Sequence, residues 1–246
     1  MLAVALGLAA AAGAGAAGSQ SATDPDSRQV YSAQSPPWLQ AVGKLRIPGS
    51  RLEDGRRRHL IEDCTATLIA LPDIRINRWV LTAWHCLEFY ADLSRPILFT
   101  LPNSPGGTIS REATVIESGG AMDRDWALLR LDRPIRDPGV TPLPLSAATV
   151  SRGAVSMAGY SRDRGLGQGG EVLTYDAFCE IVAKRGRDYE TDCAAFKGAS
   201  GGPVVKHSQD GSAAITGIIS RGNGADISIF VPITRFAAQL LGTPGR

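Results

Sequence analysis

The stretch GASGGP at residues 198–203 places one serine, Ser200, among three glycines. Glycine adopts backbone conformations that other residues avoid, so the chain can turn sharply here and bring main-chain amides close to a substrate carbonyl. Such amides stabilise the negative charge that develops when a hydroxyl attacks an amide or an ester. The stretch therefore predicts a nucleophilic serine, with the amides of Gly198 and Ser200 as oxyanion donors. A glycine-rich turn without chemical function is the alternative interpretation.

A serine nucleophile needs a base, and histidine is scarce in this chain. Of the three histidines, His85 lies at the end of a predicted strand, in the sequence LTAWHC. The cysteine beside it would clamp the turn that presents the ring. Because imidazole is the usual general base for a serine hydroxyl, we predict that His85 takes this role.

The acid that orients the base is predicted at Asp125. This residue stands directly before the apolar run WALLRL, residues 126–131, and such a strand can bury a carboxylate beside an imidazole. Asp123 is the rival acid, but it is set further from the strand. We therefore predict Asp125 as the third catalytic residue.

The three candidates occur in the order histidine, aspartate, serine. The Gly-x-Ser-x-Gly pattern also matches the nucleophile elbow of α/β-hydrolases, in which the order is serine, acid, histidine. After Ser200 only His207 remains, and no acid lies between them. The subtilisin order would need Asp63 or Asp73 as the acid and an alternation of strands and helices that this sequence lacks.

Short β-forming runs dominate the chain, and they are separated by clusters of Gly, Pro, Asn and Asp, as in antiparallel β proteins. Residues 132–149 contain four prolines and predict a connector between two β sub-domains. Residues 234–241 place apolar side chains at helical spacing and predict a C-terminal helix. The predicted strands are 39–45, 64–70, 79–83, 96–101, 113–117 and 126–131, followed by 154–158, 171–175, 203–205, 213–220 and 227–231.

The composition is balanced in charge. The 246 residues include 26 basic and 24 acidic side chains, for a net charge of +2, so no nucleic-acid partner is expected. The basic cluster RRRH at residues 56–59 is interpreted as a solvated loop. No metal motif is present, and we expect no cofactor, a peptide or protein substrate, and a monomer.

The N-terminal residues resemble a secretion signal. Residues 2–17 are small and apolar, which predicts a signal peptide at 1–18, although no Lys or Arg precedes the run. A membrane anchor is the alternative, but about 20 strongly apolar residues are needed to cross a bilayer. We expect a secreted or periplasmic protein without stable membrane insertion after signal removal, and a flexible lead-in or propeptide at residues 19–37.

Four cysteines follow this segment. An even number behind a signal-like segment predicts two disulfides in an oxidising compartment. Four cysteines allow three pairings, and the local pairing keeps one bridge in each half of the chain. Four buried free thiols are the alternative. The cysteines are Cys64, Cys86, Cys179 and Cys193.

Three segments together resemble the signatures of trypsin-like serine proteases: TAWHC at 82–86, DWALL at 125–129 and GASGGP at 198–203. The resemblance implies an all-β fold of two antiparallel six-stranded barrels packed face to face, with the catalytic triad in the cleft between them and a C-terminal helix. The implied divisions are an N-terminal barrel at 38–132, a connector at 133–149, a C-terminal barrel at 150–233, and a helix and tail at 234–246.

Two further stretches extend the resemblance. Residues 64–70 look like the strand whose cysteine bridges to the one beside the catalytic histidine, which implies a Cys64–Cys86 bridge. The stretch DCAAFK at 192–197 is more similar to bacterial glutamyl endopeptidase-like members than to animal trypsins.

The same resemblance implies a substrate site. The segment 220–222 would pair with the peptide substrate as an added strand. The positions expected to line the pocket for the substrate side chain carry no charge unless Asp226 turns inward, so we expect a preference for apolar or small side chains. The predicted substrate-binding residues are Ala194, Ala195, Ser220, Arg221, Gly222 and Ser228.

One position departs from the family pattern. Trypsin-like enzymes usually carry an aspartate directly before the nucleophile, where it receives the new N-terminal amine after zymogen cleavage, and this chain has Ala199. We therefore expect an activity that needs no such cleavage. The predicted function is a serine endopeptidase acting through an acyl-enzyme intermediate. A catalytically silent homologue that binds peptides or proteins in the same cleft, and an esterase, are the alternatives.

Overall fold

The computed structural model describes residues 26–72, 74–90, 95–102, 104–148 and 150–242. The predicted signal peptide at 1–18 lies outside these ranges. Within them the chain forms fourteen strands, four short 3-10 turns and one short α-helix.

The first barrel contains six antiparallel strands in the order β2-β5-β6-β7-β4-β3, and pairing of β3 with β2 closes it. Alternate residues of each strand point inward, so Ile97, Phe99 and Leu101 of β5 are buried in the core. The strands are β2 (Val42–Glu53), β3 (Arg56–Leu71), β4 (Ile74–Thr82), β5 (Ile97–Leu101), β6 (Ile109–Ser118) and β7 (Ala127–Leu131).

The second barrel has the order β10-β11-β14-β13-β12-β9, and it closes through β9 and β10. A short N-terminal strand, β1 (Gln29–Val30), joins its outer face by pairing with β10. The strands of the barrel are β9 (Gly153–Gly159), β10 (Thr174–Arg185), β11 (Asp188–Thr191), β12 (Pro203–His207), β13 (Ala213–Gly222) and β14 (Ser228–Pro232). The prediction of two six-stranded antiparallel barrels is confirmed.

A connector and a helix join the two barrels. Strand β8 (Leu143–Pro144) pairs in parallel with β3 of the first barrel. Helix α1 (Ala237–Gly242) follows Phe236, whose buried ring stacks on Trp126 of the first barrel with 4.9 Å between the ring centroids. The C-terminal segment therefore packs against the first barrel. No helix in the described part of the chain is long and apolar enough to cross a membrane.

Both disulfides have the local pairing. Cys64 is bonded to Cys86 in the first barrel, and Cys179 is bonded to Cys193 in the second. The prediction of two bridges is confirmed. Loops of this size contribute on the order of 3 kcal/mol each in the chain-entropy description.

Several predicted strand limits are wrong. Pro37–Ala41 is a 3-10 turn, so the first strand begins three residues later than predicted. Strand β10 begins at Thr174 and continues to Arg185, and β11 was not predicted. The basic run 56–59 is exposed, as expected, but it is the start of β3 and not a loop. At the start of β3, this strand and the end of β2 form a two-stranded ribbon. Neither face of the ribbon is buried in the barrel.

Candidate active site

The histidine and the acid meet because their strands are neighbours. Strand β4 ends at Thr82, which pairs with Ala127 at the start of β7. His85 lies on the 3-10 turn Trp84–Leu87 directly after β4, and Asp125 lies two residues before β7. Antiparallel pairing of the two strands therefore brings both side chains to the same edge of the first barrel.

Asp125 holds the histidine by two hydrogen bonds. Its carboxylate is fully buried, accepts the main-chain amide of His85 at 2.8 Å, and lies 2.8 Å from Nδ1 of the ring. The Ser220 hydroxyl donates a third hydrogen bond to the same carboxylate. With Nδ1 directed to the acid, Nε2 is the ring nitrogen left to exchange a proton with a substrate or a nucleophile.

The competing residues lie elsewhere. Asp123 is exposed, and only its carbonyl is engaged, by Arg235. His207 is 3.0 Å from the Ser156 hydroxyl, on the strand β12, and His59 is exposed on β3. Among the three histidines, His85 is the one that the structure places beside a buried carboxylate.

The serine loop, residues 194–202, is held between the two barrels. The Gly201 amide donates to the Ile219 carbonyl at 2.8 Å, and the Ile219 amide donates to the Gly202 carbonyl at 2.9 Å. From the first barrel, the Thr65 amide donates to the Ser200 carbonyl at 2.9 Å. The sulfur of Cys86 lies 3.9 Å from the same carbonyl oxygen, so the serine loop adjoins the turn that carries the histidine.

The Ser200 side chain is half-buried. Within the described ranges its hydroxyl forms no hydrogen bond that meets ordinary geometric limits. Catalytic hydrogen bonds often become well aligned only once a substrate is bound. The assignment of Ser200 as the candidate nucleophile therefore rests on the position of the serine loop beside the turn of His85, and not on a preformed hydrogen bond between the two side chains.

Two glycines of the loop are required by close approaches. A Cβ atom at Gly201 would lie 2.1 Å from the Thr82 hydroxyl oxygen, and one at Gly198 would lie 2.5 Å from the Tyr160 carbonyl oxygen. Both glycines also have positive φ, +82° and +97°. No other residue type would let the loop sit this close to both barrels.

The amides of residues 198–202 divide into two groups. Those of Ala199 and Gly202 donate to main-chain carbonyls, at 3.0 and 2.9 Å, and Gly201 does so as described. The amides of Gly198 and Ser200 have no acceptor among the described residues. Buried and half-buried amides are nearly always paired, so the two unpaired donors on either side of Ala199 are suited to an oxyanion.

Thr65 supports this loop, and sequence reasoning missed it. Its hydroxyl donates to the Gly198 carbonyl at 2.8 Å and accepts the Tyr160 amide at 2.9 Å. The side chain is fully buried on β3. A threonine inside a β-rich run carries no sequence signal of such a bridging role.

The predicted substrate-binding residues lie on the serine loop and on strands β13 and β14 of the second barrel. Ser228 pairs with Gly222 across β14 and β13, and its hydroxyl donates to the Cys193 carbonyl at 2.8 Å. Ala195 is buried and Ala194 is half-buried. Two predicted residues have other partners: Ser220 binds Asp125, and Arg221 donates to Asp188 at 2.8 Å.

Two charged residues near the site, Asp226 and Lys197, lie at the surface. Asp226 is exposed and accepts a hydrogen bond from the Asn223 amide group at 2.8 Å, so it does not turn into the pocket. Lys197 is exposed as well. Neither of these two side chains therefore supplies a charge to the predicted substrate-binding residues.

Two groups of potential metal ligands contain the disulfides. Cys64, Cys86 and His85 form one group, and both cysteines of the second bridge form the other with Asp176. In each group the two sulfurs are bonded to one another. No thiolate is available there, and these groups do not make metal sites.

Two closed six-stranded barrels with a histidine–aspartate pair beside a glycine-rich serine loop define the chymotrypsin class of folds. Comparison with protein families gives the particular one. The family described as Trypsin matches residues 58–240, which is most of the chain. The protein belongs to the trypsin family.

Individual relatives agree with this assignment. The chain is 29% identical over 220 residues to transmembrane protease serine 9 of Rattus norvegicus, covering 78% of this chain and 20% of that protein. The chain thus spans about a fifth of that relative's length.

Solved structures share the fold. A thermostable serine protease from an extremophilic microorganism superposes with a TM-score of 0.63 at 18% identity, covering 84% of this chain and 97% of that one. Human heparin binding protein gives a TM-score of 0.61 at 20% identity, covering 89% and 97%. At this identity the likeness extends to the fold alone.

Proposed function

We propose that the protein is a serine endopeptidase that cleaves peptide bonds through an acyl-enzyme intermediate. Ser200 is the nucleophile, His85 the general base and Asp125 the residue that orients it. The observation that carries this proposal is the fully buried Asp125 carboxylate, which accepts both the amide and Nδ1 of His85 next to the serine loop. A buried carboxylate is costly unless it is hydrogen-bonded, and here its partners include a histidine ring that it can orient.

The reaction follows from these positions. The Ser200 Oγ attacks the carbonyl carbon of the substrate, and its proton passes to Nε2 of His85. The carbonyl oxygen becomes an oxyanion that the amides of Gly198 and Ser200 stabilise. His85 then donates the proton to the leaving amine, the C–N bond breaks, and an acyl ester remains on Ser200. Water, deprotonated by His85, hydrolyses this ester and restores the serine.

We propose a preference for small or apolar substrate side chains. The pocket residues Ala194, Ala195, Gly222 and Ser228 carry no charge, and the Asp226 carboxylate is bound to Asn223 at the surface. The resemblance of residues 192–197 to glutamyl endopeptidase-like members raises glutamate as the alternative. An uncharged pocket offers no partner for a carboxylate, so we favour the small and apolar preference.

We also propose that the protein acts outside the cytoplasm, in a secreted or periplasmic form. Two disulfides persist in oxidising compartments and are rare in reducing ones. A monomer without a nucleic-acid partner is the simplest form for this activity, and gel filtration of the purified chain tests it.

The function is tested by cleavage of casein and of short ester substrates. We expect both to be cleaved by the wild-type chain, and Ser200→Ala to lower kcat by about 10⁴–10⁶-fold. Ser212→Ala, which removes an exposed serine that binds Asp210, is the matched control and should retain full activity.

Each alternative has its own result. Cleavage of the ester substrates but not of casein would favour the esterase. Binding of peptides without cleavage, and without modification by a fluorophosphonate, would favour the silent homologue. Unchanged kcat in Ser200→Ala would remove the proposal altogether.

A further inference from the structure

The N-terminal strap, residues 26–31, lies against the second barrel. Gln29 and Val30 pair with β10, and the Tyr31 amide donates to the Leu173 carbonyl at 2.9 Å. The Ser27 hydroxyl donates to Asp176, which is buried. The segment expected at the sequence level to be a flexible lead-in is thus, in its described part, bound to the barrel.

The strap places an arginine in a buried site. The side chain of Arg28 is 2% exposed. Its guanidinium donates to the Asp163 carboxylate at 2.8 Å and, through Nε, to Asp26 at 2.9 Å. A buried charge is costly unless it is paired and hydrogen-bonded, and here two carboxylates meet that condition. The position of the guanidinium is therefore closely fixed.

Arg28 contacts the serine loop directly. Its guanidinium carbon lies 4.2 Å from the centre of the Phe196 ring, which is within the range of a cation–π contact. The Phe196 carbonyl accepts the amide of Ala199, the residue before Ser200. Arg28 and Ala199 also line the same small cavity beneath the loop.

A second connection runs through Asp163. The loop that contains this residue is joined to the serine loop, because the Arg162 amide donates to the Lys197 carbonyl at 2.6 Å. Lys197 directly precedes Gly198, whose amide is one of the two unpaired donors. Arg28 thus restrains the serine loop at two adjacent residues directly before Gly198, through the ring of Phe196 and through the segment bonded to Lys197.

We infer that Arg28 is a positioning residue for catalysis: the strap holds the serine loop in the conformation in which the amides of Gly198 and Ser200 can receive an oxyanion. The inference rests on the proposed function, because it assigns the strap a part in that same reaction. It makes the residues before the first barrel a component of the active enzyme.

The test compares Arg28→Met with Arg28→Lys in the full chain. We expect Arg28→Met to lower kcat on a peptide amide roughly 10- to 100-fold with little change in KM, since small displacements of catalytic groups have effects of this size. Arg28→Lys keeps the positive charge but lacks the planar guanidinium group. Its kcat should therefore lie between that of Arg28→Met and that of the wild type. The matched control is Arg185→Met, which removes another arginine–carboxylate pair of the same barrel at the surface and should leave kcat unchanged.

Hydrogen exchange separates this inference from the proposed function. In a Ser200→Ala background, where no activity is required, Arg28→Met should speed amide exchange in residues 194–200, and Arg185→Met should not. Faster exchange there supports the strap even if the wild type fails to cleave peptides. If the wild type cleaves peptides and Arg28→Met matches it in kcat and in exchange, the inference is wrong and the proposed function stands.

If Arg28→Met does not fold, a second variant, Phe196→Leu, tests the inference. Phe196→Leu keeps both ion pairs and removes only the ring contact between the strap and the loop. We expect a fall in kcat of about fivefold, in keeping with the loss of a partly buried cation–π contact. Unchanged kcat and unchanged exchange in this variant would overturn the inference.

Discussion

The two barrels contribute to the candidate site in different ways. The first supplies His85 and Asp125 from the ends of β4 and β7, which are neighbours in one sheet. The second supplies Ser200 from a loop that is held by contacts from outside that loop, including Thr65 and the strap. The proposed acid–base pair is thus fixed by a strand ladder, whereas the proposed nucleophile and oxyanion donors depend on side chains that bridge separate elements.

This difference predicts how substitutions divide between stability and rate. A ladder breaks only when the barrel unfolds, so the spacing of the acid and the base is as stable as the fold. A loop held by a few side chains can shift while the barrel stays folded. Changes in the supports of the serine loop should therefore lower kcat at temperatures where the protein is still native.

The largest effect is expected from the acid itself. Asp125→Asn keeps an oxygen that can accept the His85 amide, so the protein should fold, but the imidazole loses the carboxylate that sets its tautomer. We expect kcat to fall by about 10⁴-fold. Steady-state kinetics on a peptide amide measures this. Asp123→Asn, at the exposed rival acid, is the control, and an equal loss in both variants would contradict the assignment.

The next effect concerns the close approach of the serine loop. Gly198→Ala places a Cβ atom 2.5 Å from the Tyr160 carbonyl oxygen at a φ of +97°. The loop must shift, and loss of one oxyanion donor costs about 10²–10³-fold in kcat. The KM should change much less.

Gly211→Ala is the matched control for backbone strain. Gly211 has a similar φ of +80°, but nothing lies within 4 Å of a Cβ atom there. We expect a loss of about 1 kcal/mol in the free energy of unfolding, with kcat unchanged. A similar kcat in Gly198→Ala and Gly211→Ala would show that the geometry of the loop does not matter for the rate.

A smaller effect tests the support from the first barrel. Thr65→Val removes the hydroxyl that joins the Gly198 carbonyl to the Tyr160 amide, and leaving buried polar groups unpaired costs roughly 1–3 kcal/mol. We expect a drop of about tenfold in kcat, because small displacements of catalytic groups slow the reaction, and a lower melting temperature.

Thr67→Val is its control on the same strand and the same face. The Thr67 hydroxyl is buried and has no hydrogen-bond partner among the described residues, so its removal should be neutral or stabilising. Loss of activity in Thr67→Val as large as in Thr65→Val would mean that the hydroxyl bridge is not the cause.

The smallest effect depends on pH. Burial raises the pKa of Asp163, but the hydrogen bonds from Arg28 and from the Gly167 amide outweigh it, so this pKa lies below its ordinary value. The stabilisation that results is complete above the ordinary pKa of about 3.9 and is lost as the pH falls through the lower folded-state value.

Urea unfolding of the wild type and Asp163→Asn measures this contribution. The difference between their free energies of unfolding should be constant from about pH 5 to pH 8 and should shrink below about pH 4. A difference that grows on acidification would show that the charge of Asp163 does not stabilise the fold.

The sequence predicts the parts of the site that lie in local motifs. His85, Asp125 and Ser200 each stand beside a distinctive run, and the Gly-x-Ser-x-Gly pattern identifies the unpaired amides. Thr65 and Arg28 could not be found in this way, because their roles arise from contacts with residues more than about ninety positions away. Such contacts leave no local pattern.

The prediction of strands from the sequence has the same limit. Strands with one buried face, such as β5, follow from alternating apolar residues. The ribbon that begins β3 could not be predicted in this way, because three arginines and a histidine in succession are typical of a loop and neither face of the ribbon enters the core. The two-residue strand β1 is too short for any periodicity, and tertiary pairing with β10 determines it.

The central claim is that Ser200 is the nucleophile, that His85 and Asp125 form its acid–base pair, and that the amides of Gly198 and Ser200 stabilise the oxyanion. A crystal structure of the protein after reaction with a fluorophosphonate tests it most directly. The account predicts a phosphorus atom on Ser200 Oγ, with a phosphoryl oxygen about 2.7–3.1 Å from the amides of Gly198 and Ser200 and with His85 Nε2 in hydrogen-bond reach. An adduct on another residue, or a Ser200 adduct whose phosphoryl oxygen points away from both amides, would contradict it.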